Sequence, residues 1–157
     1  MRLSKEAVRT RRIVPVDIPQ VVAIADSLPD APHWKAEVYQ SMVDPVRTPA
    51  RICLVAEDSH RRPVGFGVVV LIPPQAELEV IAVTGVRQRR GIAGNLLRDL
   101  LAELKRINIT EVILEVRESN RIAQAFYRAS GFVETGLRRG YYADPQEDAL
   151  LMKREIS

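Results

Sequence analysis

Apolar side chains follow a helical spacing along one segment in the middle of the chain. Between Ile92 and Ile107 they recur at one face of an ideal α-helix, with polar residues between them. The positions on that face are Ile92, Leu96, Leu97, Leu100, Leu101 and Leu104. The pattern predicts an amphipathic helix packed against the core.

Four neighbouring stretches instead have the composition of β-strands. RICLVAED and VGFGVVVLI are rich in β-branched residues and are separated by SHRRP, which predicts an antiparallel hairpin with Pro63 in the connection. After the turn LIPPQ, the stretch ELEVIAV is a third strand. EVILEVR alternates between two faces, one carrying Val112, Leu114 and Val116 and the other Ile113, Glu115 and Arg117.

Shorter elements are predicted towards both ends of the chain. RIVPVDIPQVVAIADSL indicates a short strand and then a helix with Asp17 as its N-cap and Pro19 in its first turn, and WKAEVYQSMV indicates a second helix. Ser119 and Asn120 can cap the helix RIAQAFYRAS, which ends at Gly131. FVETGLRR and EDALLMKRE are two closing strands around YYADPQ. The side chains expected to point inward from the RIAQAFYRAS helix are Ile122, Ala125, Phe126 and Ala129.

This order of elements predicts a mixed α/β fold. The unit from Glu77 to Arg117 is long enough for a right-handed crossover, so its two strands can be parallel within a mixed sheet. The chain has 157 residues, 46% of them hydrophobic, which suits one globular domain. We expect that domain to span residues 11–157, with residues 1–10 as a polar extension.

Composition excludes several classes of function. No apolar run approaches the roughly 18 residues of a membrane span, and the first residues lack the apolar centre of a signal peptide, so we expect a cytoplasmic protein that does not bind membranes. His33 and His60 share no metal-ligand spacing with each other or with Cys53, so no metal site is expected, and Cys53 is expected to be a buried inert thiol. The net charge of +3 and the scattered arginines are weak evidence for nucleic-acid binding, because no aromatic residues interleave with them.

The stretch QRRGIAG joins the strand ELEVIAV to the amphipathic helix. A helix that begins at a glycine-rich turn presents backbone N–H groups and the positive end of its dipole, and phosphate oxygens satisfy both. Gly91 and Gly94 allow a ligand to approach closely, and Arg89 and Arg90 add positive charge. The stretch therefore predicts a pyrophosphate site, and the alternative is a plain loop with solvated arginines. It is neither the phosphate loop of nucleotide hydrolases nor the dinucleotide fingerprint.

Residues 88–93 resemble the [QR]xxGx[GA] signature of the GNAT superfamily of acetyl-CoA-dependent N-acetyltransferases. ELEVIAV, LEVRESNRIAQAFYRASGF and RRGYYADPQEDALLMKRE resemble further segments of its RimI-type ribosomal-protein alanine N-acetyltransferases. The resemblance implies the GNAT fold, a mostly antiparallel sheet with helices on both faces and one parallel pair of strands splayed around the co-substrate acetyl-CoA. It also implies that acetyl-CoA contacts Ile81, Ala82, Val83, Gln88, Arg89, Arg90, Gly91, Ile92, Ala93, Gly94, Asn120 and Tyr127.

The same resemblance implies catalytic roles for two side chains. Glu115 matches the general base, and Tyr127 matches the general acid that protonates the departing thiolate. From the residues alone, Glu115 is instead interpreted as a strand carboxylate paired with Arg117 or a neighbouring strand. Asn120 is interpreted as an ordinary N-cap, a role that is compatible with contacting acetyl-CoA. Tyr127 lies off the predicted apolar stripe, and its alternative role is that of a tyrosine at the edge of the core.

The acceptor side departs from the family pattern. Val80 stands where RimI-like sequences usually have asparagine, and Glu79 is a second carboxylate that could serve as base. Trp34, Tyr141, Tyr142 and Asp144 are candidates to line the acceptor cleft.

The leading hypothesis is an acetyltransferase that acts on the N-terminal amine of a protein, as a monomer or weak dimer. A lysine side chain or a small-molecule amine is the alternative acceptor. A non-catalytic acyl-CoA sensor and a small nucleic-acid-binding module are alternatives from other classes.

Overall fold

A computed structural model describes residues 8–44, 46, 50–88 and 90–157 of the chain. Over these residues the strands are β1 (Arg9–Arg12), β2 (Arg51–Glu57), β3 (Pro63–Ile72), β4 (Gln75–Val83), β5 (Glu111–Arg117), β6 (Val133–Ala143) and β7 (Gln146–Glu155). The helices are α1 (Ile18–Asp26), α2 (Ala36–Met42), α3 (Ile92–Arg106) and α4 (Arg121–Ala129).

All seven strands lie in one sheet with the order β1-β2-β3-β4-β5-β7-β6. Neighbouring strands are antiparallel except β4 and β5, which are parallel. The mixed sheet, the β2–β3 hairpin and the parallel crossover predicted from the sequence are therefore confirmed. Pro63 is the first residue of β3 and not part of the connection. No helix in the described part of the chain is both long and apolar enough to cross a membrane.

The first strand lies further towards the N-terminus than predicted. Arg9 and Thr10, which we placed in the extension, pair with β2, while residues 1–7 lie outside the described part of the chain. The Thr10 hydroxyl donates a hydrogen bond to Asp99 of α3, and Arg12 forms an ion pair with Glu103 of the same helix at 3.0 Å. These tertiary contacts stabilise a short polar strand that a hydrophobic pattern does not reveal.

Asp17 precedes α1, but its side chain does not cap the helix. The carboxylate accepts hydrogen bonds from the Arg11 guanidinium at 2.7 and 2.9 Å and from the Val14 backbone N–H at 2.8 Å. Arg11 also donates to Glu57 of β2 at 2.7 Å. A buried carboxylate needs such partners, so the predicted N-cap is instead the centre of an ion-pair network between β1, β2 and the start of α1.

The sheet separates two hydrophobic cores, and a β-bulge in β4 changes which side chains face each core. The register between β3 and β4 shifts after Val68, which pairs with Val80, so that Val69 pairs with Leu78 and Glu79 is the extra residue. Before the bulge, Leu78 faces the α3 core, whereas after it Val80 faces the core formed with α1 and α2.

Helix α3 packs closely on the sheet because β3 carries glycine beneath it. The six predicted apolar residues of α3 are all buried, which confirms the helix and its inward face. A Cβ atom at Gly65 would lie 3.0 Å from the Ala82 carbonyl oxygen and 3.3 Å from Leu96 Cδ1. Both contacts are tighter than ordinary van der Waals contact, so the missing side chain lets the helix and the end of β4 approach β3.

Helix α4 has the predicted position and cap but a different inward face. Ile122 is 80% exposed, and Ala125 and Ala129 are also exposed. Ala123, Phe126 and Tyr127 pack against the α3 core, and Gln124 is buried beside them. The prediction was correct for Phe126 and wrong for the other three residues, because Gln124 donates its amide hydrogens to the carbonyls of Arg117 at 3.0 Å and Glu118 at 2.7 Å. The hydrogen bonds from this polar residue to the carbonyl groups at the end of β5 determine which face of α4 points toward the core.

Candidate active site

Strands β4 and β5 diverge in the middle of the sheet. Their parallel register joins residues 75–77 to residues 111–113 and ends with Glu77 opposite Ile113. Both strands continue beyond that point, β4 to Val83 and β5 to Arg117. Ile81, Ala82 and Val83 pair with β3 on one side only, so the edge of β4 that faces β5 is open for backbone hydrogen bonds.

The loop QRRGIAG lies at the end of this open edge. Gly91 is the N-cap of α3 in the left-handed conformation, with φ of 81°, and no side chain caps the first turn. A Cβ atom at Gly94 would meet nothing within 4 Å, so space is present at the helix N-terminus. Exposed backbone N–H groups, the helix dipole and this space suit a pyrophosphate group.

Some residues beside the two glycines hold the loop in place, and others carry positive charge. Ile92 is buried in the α3 core and Ala93 packs against that core. The Gln88 side chain donates a hydrogen bond to the Val83 carbonyl at 3.1 Å and so ties the loop to the end of β4. Arg90 is partly buried, and Arg89 lies outside the described residues.

Asn120 caps α4 as predicted. Its side-chain oxygen accepts a hydrogen bond from the Ala123 backbone N–H at 3.1 Å. This interaction uses the oxygen of the amide and leaves its NH2 group for another acceptor.

Tyr127 is held in an aromatic cluster on the α3 side of the sheet. Its ring centroid lies 5.3 Å from that of Phe126 and 5.6 Å from that of Phe132. Burial, with a smaller contribution from Tyr142, raises the pKa of Tyr127 to about 12. The interpretation of Tyr127 as lying off the apolar face was wrong, but its hydroxyl stays protonated at neutral pH.

Glu115 points to the opposite side of the sheet from the α3 core, because Leu114 and Val116 on either side of it face that core. The Arg138 guanidinium of β6 lies 3.2 Å from Glu115 Oε1, and the side chain of Glu115 is 20% exposed. The Tyr141 hydroxyl is also hydrogen-bonded to Glu115, which raises the pKa of Tyr141. Arg117 is not the partner of Glu115, since it pairs with Glu147 at 3.2 Å.

Glu79 lies at the bulge of β4 and is neutralised by an arginine of β2, which is separated from β4 by β3. Arg51 Nε of β2 donates a hydrogen bond to Glu79 Oε1 at 2.7 Å. Val80 is 6% exposed and packs among apolar side chains of the α1–α2 core, so this position carries a core residue.

The aromatic candidates have different environments. Tyr141 and Tyr142 lie on β6 with their ring centroids 5.0 Å apart, and the guanidinium groups of Arg138 and Arg117 stack on them at 5.0 and 4.2 Å respectively. Trp34 instead packs against buried Tyr39 at 5.6 Å in the α1–α2 core. Asp144 is exposed in the turn between β6 and β7.

Residues 20–132 match the family model described as the acetyltransferase (GNAT) family. This segment holds the bulged strand, the glycine-rich loop and the divergent strands described above. The chain belongs to the GNAT family.

Two relatives of this chain are named as alanine or α-amino acetyltransferases. The chain is 39% identical over 94 residues to the [Ribosomal protein bS18]-alanine N-acetyltransferase of Escherichia coli, covering 59% of this chain and 64% of that protein. It is 43% identical over 83 residues to the N-alpha-acetyltransferase RimI of Mycobacterium tuberculosis, covering 53% of this chain and 51% of that protein. The chain thus spans less than two thirds of the length of these relatives.

The GNAT fold extends over nearly the whole chain. The crystal structure of the ribosomal-protein-S18-alanine N-acetyltransferase from Escherichia coli superimposes with a TM-score of 0.83 and 28% sequence identity. The superposition covers 96% of this chain and 95% of that one.

Two charged residues beside the GNAT loop and strands were missed by sequence reasoning. Arg138 is one of the scattered arginines of the sequence, and it reaches Glu115 through the pairing of β6 with β7 and of β7 with β5. Glu77 was treated as the start of a strand, and it faces Glu115 and Glu79. The alternation of ELEVIAV shows that Glu77 is on the face opposite Leu78, but only the register of β4 and β5 brings it to the site.

Proposed function

We propose that this protein transfers the acetyl group of acetyl-CoA to a primary amine, namely the N-terminal α-amine of a protein. The observation that carries the proposal is the divergence of β4 and β5 beyond Glu77 and Ile113. Beyond this point the helix N-terminus at Gly91 lies on one side of the sheet and Glu115 on the other. The names of the alanine and α-amino acetyltransferase relatives support the N-terminal amine as the acceptor.

The open edge of β4 and the loop before α3 form the proposed donor site. Backbone groups of β4 pair with the pantetheine arm as a further strand would, and the NH2 group of Asn120 donates to the same arm. The first turn of α3 and the basic loop bind the pyrophosphate. The proposed contacts are Ile81, Ala82, Val83, Gln88, Arg89, Arg90, Gly91, Ile92, Ala93, Gly94, Asn120 and Tyr127.

The chain supplies one proton acceptor and one proton donor for the transfer. Glu115 takes a proton from the acceptor ammonium, directly or through water, and leaves a neutral amine with a free lone pair. Bound acetyl-CoA supplies a thioester, whose C–S bond breaks as the amine nitrogen bonds to the carbonyl carbon. Tyr127 donates its hydroxyl proton to the departing sulfur, which its raised pKa of about 12 permits across the neutral range. The nitrogen, positively charged after it bonds to the carbonyl carbon, passes its extra proton to the Tyr127 phenolate, and Glu115 releases its proton to solvent, so that a neutral amide and the CoA thiol remain.

The acceptor enters from the face that carries Glu115. Arg138, Tyr141 and Tyr142 of β6 form one wall of this entrance, and Glu79 with Arg51 forms another. Trp34 is also a proposed acceptor residue. Its ring packs against Tyr39, so it belongs to the α1–α2 core and not to either of these two walls.

An acetylation assay on paired peptides tests this function. One peptide has a free N-terminal alanine and no lysine, and the other has a blocked N-terminus and one internal lysine. We expect acetyl transfer to the first, and preferred transfer to the second would contradict the proposed acceptor. Glu115→Gln and Tyr127→Phe should each lower kcat by about 10²–10⁴-fold while CoA still raises the Tm.

Two other results would contradict the proposed acetyl transfer. Stabilisation by CoA with no turnover of any amine would indicate an acyl-CoA sensor, and no stabilisation by CoA would remove the donor assignment. The cytoplasmic location, the monomeric or weakly dimeric state and the absence of nucleic-acid partners stay predictions from the sequence.

A further inference from the structure

Three carboxylates lie on the acceptor face of the sheet near the point where β4 and β5 diverge. Glu79 is paired with Arg51 at 2.7 Å and Glu115 with Arg138 at 3.2 Å. For the third, Glu77, no described cation lies within ion-pair distance. Among the described residues, one carboxylate of this group is therefore not neutralised by a paired cation.

The strand register places Glu77 beside Glu115. Glu77 is opposite Ile113, and Glu115 is two residues further along β5, so the two carboxylates project from the same face as diagonal neighbours. Ala76 and Leu78, on either side of Glu77, are buried in the α3 core, which fixes Glu77 on the other face. Glu77 is the last residue of β4 in the parallel ladder and thus lies at the apex of the opening.

The surroundings of Glu77 favour a bound cation. Burial, then Glu115, then Glu79 raise the pKa of Glu77, and Arg138 opposes them. Other charged or titratable groups described on this face are already engaged, Arg51 with Glu79, Tyr141 with Glu115 and Lys153 with Glu111. A partly buried carboxylate among like charges is destabilising unless a positive group joins it, and primary amines are ammonium ions at neutral pH.

We propose that Glu77 binds the ammonium group of the acceptor amine and holds it next to Glu115. The proposal rests on the proposed function, because it assigns the recognition of the same acceptor that Glu115 deprotonates. Glu77 thereby distinguishes a cationic acceptor from a neutral one before any proton is transferred, and its contribution is to acceptor affinity.

Steady-state kinetics of Glu77→Gln with the peptide Ala-Gly-Gly-Tyr amide test the assignment. We expect the KM of the peptide to rise about ten- to hundredfold, as for the loss of a hydrogen bond to a charged group, with the KM of acetyl-CoA unchanged and kcat within about threefold. Glu77→Asp should recover part of the affinity. A peptide KM equal to that of the unsubstituted protein would overturn the proposal.

Glu111→Gln is the matched control. Glu111 lies on the same face of β5, four residues before Glu115, where it is paired with Lys153 at 3.6 Å and accepts a hydrogen bond from Gln75. Its substitution should leave the peptide KM unchanged, so an equal increase in both variants would indicate a general electrostatic effect and contradict the assignment.

Calorimetric titration of the protein–CoA complex with the same peptide gives a readout that needs no turnover. Weaker peptide binding by Glu77→Gln, with unchanged binding of CoA, supports the proposal. If the unsubstituted protein binds CoA but neither binds nor acetylates the peptide, the proposed function fails. If it does both and Glu77→Gln is indistinguishable from it, only the inference about Glu77 fails.

Discussion

Arg138 of the edge strand β6 reaches across β7 to Glu115 of β5, with Nη1 3.2 Å from Oε1. The same guanidinium stacks on the Tyr141 ring at 5.0 Å, and Tyr141 is itself hydrogen-bonded to Glu115. The β6–β7 hairpin thus holds the carboxylate that we assign as the base. Because Arg138 is 55% exposed, the ion pair contributes little to the stability of the fold.

Replacing Arg138 by Gln should therefore affect activity more than stability. We expect kcat/KM for the acceptor to fall about three- to tenfold because Glu115 loses one of its two orienting contacts. The free energy of unfolding should change by less than about 0.5 kcal/mol, as for an exposed ion pair. Steady-state kinetics and urea unfolding measure the two effects.

Arg139→Gln is the control for charge on the same strand, since Arg139 is an exposed neighbour on β6. It removes the same formal charge without touching Glu115. Equal losses of activity in the two variants would show that the ion pair with Glu115 has no orienting role.

Substitution of Gly65 should weaken both the fold and the donor site. The new methyl group of Gly65→Ala would lie 3.0 Å from the Ala82 carbonyl oxygen, 3.2 Å from Val83 Cγ2 and 3.3 Å from Leu96 Cδ1. Relief of these contacts must move the end of β4 or the first turns of α3, at a cost of about 1–3 kcal/mol. Both elements belong to the proposed acetyl-CoA site, so CoA affinity should fall as well.

Gly85→Ala provides the comparison for Gly65, because a Cβ atom there meets nothing within 4 Å. We expect its free energy of unfolding to stay within about 0.5 kcal/mol of the unsubstituted protein. Denaturant unfolding and calorimetric titration with CoA would detect the difference. Similar stability of the two alanine variants would contradict the close packing of α3 on β3.

Elements with strong periodicity were predictable, whereas contacts between distant strands were not. Every apolar residue assigned to the inner face of α3 is buried, because its spacing leaves one consistent face. In α4 the apolar positions allowed two rotations, and the bonds from Gln124 to the end of β5 select the one that exposes Ile122. Such a polar contact depends on where the helix follows the strand and has no signature in the hydrophobic pattern.

In the candidate site, too, local features were predictable from the sequence and contacts between distant strands were not. The loop with Gly91 and Gly94 is local in sequence, and the start of α3 at this glycine-rich turn was predicted from it. The partners of Glu115 and Glu79 are Arg138 and Arg51, which lie 23 and 28 residues away along the chain. Their pairing depends on strand order and on the bulge at Glu79, neither of which the alternation of a single strand encodes.

Cys53 should be unreactive in the folded protein. The thiol is 5% exposed, and burial raises its pKa to about 12. Iodoacetamide at pH 8 should therefore label Cys53 only after unfolding, which mass spectrometry can follow. Rapid labelling under native conditions would contradict the burial of β2.

Because of the same thiol, the free energy of unfolding should fall at alkaline pH. The pKa of Cys53 is higher in the folded state than its ordinary value of 9.0, so the folded state favours the protonated form. The contribution is fully present below pH 9 and is lost as the pH rises towards 12. Cys53→Ala should lose less of its unfolding free energy between pH 8 and pH 10.5 than the unsubstituted protein, and an equal loss would contradict this account.

Asn120 combines a capping contact with a proposed contact to acetyl-CoA, and two substitutions separate them. Asn120→Ser keeps a side-chain oxygen for the Ala123 N–H but lacks the amide NH2 group, whereas Asn120→Ala lacks both. The alanine variant should lose about 1 kcal/mol of unfolding free energy and the serine variant only a few tenths. Both should bind CoA more weakly by a similar factor, because each lacks the NH2 donor. Normal CoA affinity in the serine variant, measured by calorimetry alongside thermal unfolding, would show that Asn120 serves α4 alone and that the pantetheine arm is held by β4 without it.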